Sequence, residues 1–367
     1  MFQSPLPQEY LGLSPEVLHD RITQARKVLG RRLVILGHHY QRDEIIQYAD
    51  YRGDSYKLAK EGAALADAEF IIFCGVHFMA ESADILAQPG QKVILPNLSA
   101  GCSMADMANI FQVRACWKAL EKAGIADVTV PVTYINSAAN LKAFVGENGG
   151  SVCTSSNCPA VLKWAVAQGE KILFFPDQHL GRNTALAMGY TLEEMVVWDP
   201  NADDNFGGNT VEALKAAKFI LWKGHCSVHG RFTVKQIELA RQKYPTVRVV
   251  VHPECRQEVV AAADDYGSTE KIQKLIRESP NGSIWAVGTE INQVNRLAEE
   301  QKEFDKIVFC LDPIVCPCST MYRIAPPFLL WVLDNLVEGN VVNEIVVPDE
   351  IAFDAIKALN RMIEIAG

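Results

Sequence analysis

The chain reads as an α/β protein of three successive blocks, each with a short parallel sheet, enclosing one shared central site. Three observations predict this. Apolar runs rich in β-branched residues alternate with helical patterns. The runs are continuous rather than alternating apolar and polar, as strands buried on both faces of a parallel sheet require. Polar clusters recur at corresponding run ends three times along the chain, which is the mark of an internal repeat.

The elements follow in order. Residues 1–29 form an N-terminal helical extension, with its helix at Pro15–Leu29. The first αβα block, 30–124, holds strands at Arg32–Gly37, Phe70–Cys74 and Lys92–Leu95 and a helix at Ala108–Ala123. The second, 125–244, holds strands at Thr129–Ile135, Lys171–Phe175 and Lys218–Leu221, and helices at Val211–Ala217 and Val234–Lys243. The third, 245–367, holds strands at Thr246–Val251, Ser283–Val287 and Lys306–Phe309 and a helix at Lys271–Arg277. Each boundary falls just before the strand that opens the next block, near Lys122–Ala126 and Gln242–Thr246. No low-complexity linker separates the blocks. The segment Gly189–Asn209 carries no motif.

Bulk properties narrow the class of function. With 367 residues, 49% of them hydrophobic, the chain buries substantial cores. A formal net charge of −9 argues against a nucleic-acid footprint. No apolar run reaches the length of a membrane span. Met1–Tyr10 lacks the charged and apolar regions of a signal peptide. Ten cysteines in such a chain point to reduced, buried or metal-binding thiols rather than a disulfide framework, and so to the cytosol.

Three of those cysteines occupy the same place in the repeat. Cys102, Cys226 and Cys318 each lie in a small-residue or Pro-containing turn beyond the last strand of a block. Converging there, they supply three thiolates, one short of the four that close an ordinary iron–sulfur cluster. A missing protein ligand is how a metal site stays open to substrate. Cys316 is a rival to Cys318 within Cys316-Pro317-Cys318. Cys318 is preferred because it opens a helical run, Ser319–Ile324, whose N-terminal amides would stabilise a thiolate. Cys74, Cys116 and Cys310 lie in strand or helix patterns and read as core residues. Cys153, Cys158 and Cys255 flank polar motifs and are candidates to line the site.

The other clusters supply proton-transfer and anion-binding groups. His38 and Tyr40 follow the first strand of block one, and His252-Pro253-Glu254 occupies the corresponding place in block three. His77 and His179 lie past strand ends as weaker candidates. Gly53-Asp54-Ser55, Thr154-Ser155-Ser156-Asn157 and Gly267-Ser268-Thr269 suit helix N-caps, and the same geometry binds phosphate or carboxylate. No P-loop and no Gly-x-Gly-x-x-Gly turn is present, so neither ATP nor a bound nicotinamide cofactor is implied.

Taken together, these motifs resemble the quinolinate synthase family. The resemblance rests on Ile35-Leu36-Gly37-His38-His39-Tyr40-Gln41, Ala49-Asp50-Tyr51-Arg52-Gly53-Asp54-Ser55 and Gly75-Val76-His77-Phe78-Met79-Ala80-Glu81. It continues through Tyr134-Ile135-Asn136, the Thr154, His252 and Gly267 motifs and the three cysteines, from about residue 30 to about residue 330. It implies three Rossmann-like αβα domains in a pseudo-threefold arrangement around a central cavity that contains a [4Fe–4S] cluster. It also implies condensation of iminoaspartate with dihydroxyacetone phosphate to quinolinate, in de novo NAD synthesis. The cluster ligands would then be Cys102, Cys226 and Cys318. Catalysis would fall to His38, Tyr40, His252 and Glu254. Substrate binding would fall to His38, Ser55, Tyr134, Asn136, Ser155, His252, Glu254, Ser268 and Thr269. A transient contact with L-aspartate oxidase, the supplier of iminoaspartate, fits this role, although no feature of the chain marks an interface.

Two rival readings stand beside it. His225, Cys226 and His229 with His252 and Glu254 could hold a catalytic zinc for hydrolysis. A non-catalytic iron–sulfur sensor is the other, but sensors usually carry a partner-binding segment, often basic, and none is visible here.

Overall fold

The computed structural model describes residues 3–64, 68–314 and 317–366. The chain divides into two compact units. One comprises residues 1–102 and 316–347, the other residues 103–315 and 348–367.

The first unit is built on one sheet. Its parallel strands are β1 (Leu33–His38), β2 (Tyr51–Gly53), β3 (Phe70–Cys74) and β4 (Lys92–Ile94). They lie in the order β4-β3-β1-β2. Phe70–Cys74 is buried throughout, as expected of a run with no polar face. The helix Pro15–Leu29 starts where the sequence puts it. Ser14 caps it by accepting from the Val17 N–H, and Pro15 occupies the first turn, where no intrahelical donor is needed. Leu18, Ile22, Ala25 and Leu29 form its buried stripe. That stripe packs against the helix Pro326–Val337, and Arg21 pairs with Asp334 at 2.6 Å.

The second unit contains two sheets. The first has β5 (Thr129–Tyr134), β6 (Ser151–Cys153), β7 (Lys171–Phe175), β8 (Met195–Trp198) and β9 (Phe219–Trp222), all parallel, in the order β6-β5-β7-β9-β8. The second has β10 (Arg248–Val251), β11 (Asp265–Tyr266), β12 (Ile284–Gly288) and β13 (Ile307–Cys310), again parallel, in the order β11-β10-β12-β13. Alternate residues of the second sheet feed two different cores. Val249, Val251 and Ala286 face one side, while Val250, Trp285 and Val287 face the other. This two-sided burial is why the runs show no polar alternation.

Number the four strands common to each sheet by chain order. All three sheets then share one order, 2-1-3-4, with the reversal between strands 1 and 3. The repeat seen in the sequence is thus a repeat of parallel α/β topology. β8 is an addition at the edge of the second sheet. It falls in Gly189–Asn209, where the sequence offered no motif.

After β13 the chain returns to the first unit, where β14 (Glu344–Ile345) pairs antiparallel with β4. It then crosses back as the helix Asp349–Ala366, which packs on the helix Ala139–Glu147. Gly146 makes that packing close, since a Cβ there would collide with the Asp354 carbonyl. No helix among the described residues is long and apolar enough to cross a membrane.

Candidate active site

Parallel sheets present their carboxyl edges to ligands. In the second unit, β5 ends at Tyr134, β7 leads to Asp177, β9 to Cys226, β10 to His252 and Glu254, and β12 to Thr289. These loops bring together side chains that are far apart in sequence.

Glu254 is the hub. It is 3% exposed, and both its oxygens are engaged. The Tyr134 hydroxyl donates to Oε1 at 2.6 Å, and His229 Nδ1 meets Oε2 at 3.0 Å. His229 Nε2 in turn lies 3.3 Å from Thr289 Oγ1. The Thr289 hydroxyl can donate to or accept from that nitrogen, so either ring state is satisfied. The rings of His229 and His252 stack with centroids 4.3 Å apart. Burial alone would raise the Glu254 carboxyl. The facing His229 and His252 rings, with hydrogen bonds from His229 and Tyr134, outweigh it and hold the group at about 2. Glu254 is therefore ionised across the physiological range.

His252 behaves differently. Burial, reinforced by His229 and opposed by Glu254, pushes it down to about 3, so the ring is neutral near pH 7. The Glu254 N–H points to His252 Nδ1 at 3.3 Å. A neutral ring that accepts at Nδ1 keeps its proton on Nε2. His38 repeats this arrangement in the first unit, where the Tyr40 N–H donates to His38 Nδ1 at 3.1 Å and the two rings meet edge to face. Both histidines are thus built as Nε2 donors.

Two of the three Ser/Thr motifs keep a capping role, but the helix Cys158–Gln168 begins after Asn157 without a side-chain cap. Ser268 Oγ accepts from the Lys271 N–H and Asp54 Oδ1 from the Lys57 N–H, so Thr269 and Ser55 open the helices that follow. In the second repeat Asn157 Oδ1 accepts from the Thr154 N–H at 2.7 Å, beside Ser155. Asn136 Oδ1 is buried with no hydrogen-bond partner among the described residues, a vacancy that suits a polar ligand. Asp177 is fully buried, and its carboxyl is raised chiefly by burial and then by Glu254, against the peptide N–H groups of Leu180, His179 and Cys226.

The cysteines separate by environment. Cys74, Cys116, Cys153, Cys158 and Cys255 are buried. Burial pushes Cys74 up to about 12 and Cys310 up to about 11, and raises Cys116, Cys153 and Cys255 well above the ordinary thiol range. These thiols are poorly placed to ligate as thiolates. Cys102, Cys226 and Cys318 are partly exposed, as is Cys310 at the end of β13. Within the first unit the Cys102 and Cys318 segments are laced together. Asn97 donates to the Arg323 carbonyl at 3.0 Å, and Arg323 donates to the Ser99 carbonyl at 2.7 Å. In the second unit Cys226, His229 and Glu254 place their ligand atoms within 4.8 Å of one another. Each of Cys102, Cys226 and Cys318 is a partly exposed thiol beyond a strand end, with the chemistry and access that iron ligation requires.

One expectation is corrected here. The helical run expected from Ser319 to Ile324 is only a single 3-10 turn, Met321–Arg323. Pro326 and Pro327 follow, and the residue before a proline is driven out of the helical region, so Ala325 is extended and the turn cannot grow. Cys318 therefore opens no helix. Its carbonyl accepts the Tyr322 N–H instead, and its Sγ lies 3.4 Å from Thr320 Oγ1. Cys316 lies outside the described residues. Of the remaining histidines, His77 opens the helix His77–Leu86 and lies 3.7 Å from Glu81, while His179 contacts Arg182 at 3.3 Å.

Sequence comparison agrees with this picture over almost the whole chain. The pattern of the family described as Quinolinate synthetase A protein matches residues 20–364. The chain belongs to the quinolinate synthetase A family. Among relatives of that family, quinolinate synthase from Corynebacterium glutamicum is 55% identical over 363 residues, covering 99% of this chain and 91% of the relative. Quinolinate synthase from Acidobacterium capsulatum is 56% identical over 359 residues, covering 98% and 95%. That of a Geobacillus strain is 51% identical over 362 residues, covering 98% and 97%. The quinolinate synthetase A family is one of enzymes, and the Glu254 network is where this member concentrates its buried ionisable groups.

Asp177 and Thr289 entered the sequence reading only as members of the recurring strand-end clusters, with no role of their own, and His229 only as a zinc ligand. The Cys226-x-x-His229 spacing was the available signal for His229. Asn183 lies within the helix Gln178–Ala187, with nothing in the local sequence to mark it.

Proposed function

We propose that the chain condenses iminoaspartate with dihydroxyacetone phosphate to quinolinate, releasing phosphate and two waters, in cytoplasmic NAD biosynthesis. The observation that carries this reading is identity of 51–56% to quinolinate synthases along nearly the full chain. The common strand order supports reading the three sheets as three Rossmann-like αβα domains. Cys102, Cys226 and Cys318 are the proposed ligands of a [4Fe–4S] cluster. A cluster held by these three thiolates would supply Lewis-acid chemistry.

The chain's own residues do the rest. Ser155, Ser268 and Thr269 offer hydroxyls and helix N-terminal amides to the phosphate. Ser55 and Asn136 orient carboxylates. Glu254, already ionised, accepts the proton during enamine formation and isomerisation, and Tyr134 and His229 fix the directions of its two oxygens. His252 donates from Nε2 beside it. His38 and Tyr40 serve proton transfer during ring closure and dehydration. L-aspartate oxidase is the proposed supplier of iminoaspartate, by transient contact. Replacing Glu254 with Gln is expected to leave metal content unchanged and lower turnover by about 10²–10⁴-fold. Unchanged turnover would remove Glu254 from the base role.

The Cys226, His229 and Glu254 group gives the zinc reading one specific observation. His229 and Glu254 also lie at hydrogen-bond distance from one another, which fits either reading. Anaerobic purification with iron, sulfide and zinc analysis, plus a quinolinate assay, separates the two. About four irons and four sulfides per chain with product formed supports the synthase. Zinc alone, with no activity after cluster reconstitution, supports the hydrolase.

A further inference from the structure

The turn His252–Cys255 carries both His252 and Glu254. The Cys255 N–H closes it by donating to the His252 carbonyl at 3.0 Å. Two other carbonyls of this turn, those of Pro253 and Cys255, are met by one side chain from a helix that follows a strand of the other sheet. Asn183 Nδ2 donates to each at 2.8 Å. Asn183 is 4% exposed and lies on the helix Gln178–Ala187, which follows β7. The amide has two N–H donors, and two acceptors are present. The same helix is tied at its start to the loop that carries Cys226, since the Gln178 N–H donates to the Gly224 carbonyl at 3.0 Å.

We propose that Asn183 is a positioning residue that sets the orientation of Glu254. The Pro253 carbonyl belongs to the peptide just before Glu254, and the Cys255 carbonyl to the peptide just after Cys255. Holding both planes fixes the Glu254 backbone from two sides. Its carboxylate then meets Tyr134 and His229 together. Without Asn183, two buried carbonyls lose their donor and the turn is free to tilt. The catalytic part of this inference rests on Glu254 acting as proton acceptor. The structural part does not.

The test uses the metal-loaded full chain with Asn183→Ala and Asn183→Ser. Amide hydrogen exchange read by mass spectrometry is expected to speed up in Ala at residues 252–256, with β10 itself unchanged and Ser intermediate. Metal content is expected to stay at the wild-type level. Turnover should fall about 10- to 100-fold with little change in KM, as misplacement of a catalytic group does. In a Glu254→Gln background the same Asn183→Ala change should cost less than about twofold, because both act through one carboxylate. Unchanged exchange at 252–256 would overturn the positioning role, whichever reaction the protein performs. An equal loss in both backgrounds would overturn the route through Glu254. Failure of the wild type to form quinolinate counts against the proposed function, while the exchange result still decides whether Asn183 holds the turn. If Ala does not fold, the exchange of Ser decides it.

Discussion

His252 shows how placement decides what a catalytic type of side chain does. An imidazole beside a carboxylate reads in sequence as a proton-transfer pair. Burial leaves this ring neutral, and its Nδ1 accepts a peptide N–H, so it offers a donor rather than a base. Because His252 is held at about 3, it does not titrate between pH 5 and 8. His252→Gln places an amide donor near the Nε2 position. It is expected to keep turnover within about tenfold and preserve the shape of the kcat/KM profile over that range, which pH-dependent kinetics would read. A loss beyond about a hundredfold would instead assign His252 to proton transfer. His252 and Glu254 were legible because they are neighbours in sequence. Tyr134 and Thr289 were visible as members of the recurring strand-end clusters, but a role for Tyr134 came only through family resemblance and Thr289 received none. Asn183 was not legible, because its role arises from three-dimensional closure between a helix and the loop of a different strand.

Among the elements, strands lying in continuous apolar runs were readable, even the three-residue β4, while β2, β6, β8 and β11 were not. Phe70–Cys74 and Lys171–Phe175 coincide with apolar runs because every position is buried. β2 exposes two of its three residues, and β11 is only two residues long, so neither leaves a pattern to read. The Cys318 turn failed for another reason, since a proline pair further along overrides local helix propensity. Gly224 links element packing to the site. A Cβ there would collide with the Pro176 carbonyl, where β7 gives way to the loop carrying Asp177. Gly224→Ala should push the Cys226 loop away from that strand end. The expected result is a sharp fall in iron bound per chain with wild-type far-UV circular dichroism. Full iron content in this variant would show that the close approach is dispensable.

At the scale of the molecule, two expectations follow. Ser replacement of Cys102, Cys226 or Cys318 should abolish iron and sulfide uptake, whereas Cys316→Ser should spare it. The reverse result at 316 and 318 would move the third ligand to Cys316. The second concerns acid. Burial holds His252 at about 3 and His179 at about 4, both below the ordinary 6.5. The unfolded chain therefore binds protons that the folded rings refuse. The contribution of these two rings to stability should be complete above about pH 6.5 and should decline as pH falls towards 4. Thermal melts across that range would read the slope, and His179→Gln should flatten it. An unchanged slope would mean that His179 contributes nothing to the acid transition.

The return of the chain through β14 has a consequence for synthesis on the ribosome. A nascent chain emerges with β4 at the open margin of its sheet, its backbone hydrogen-bonding groups unclaimed on that side. Only when Glu344–Ile345 follows, some 250 residues later, is that margin closed. The helix that packs on Ala139–Glu147 emerges later still. Neither unit is sealed until these later segments have been made. In the interval, the β4 margin is the surface on which a chaperone would act and on which nascent chains would misassociate.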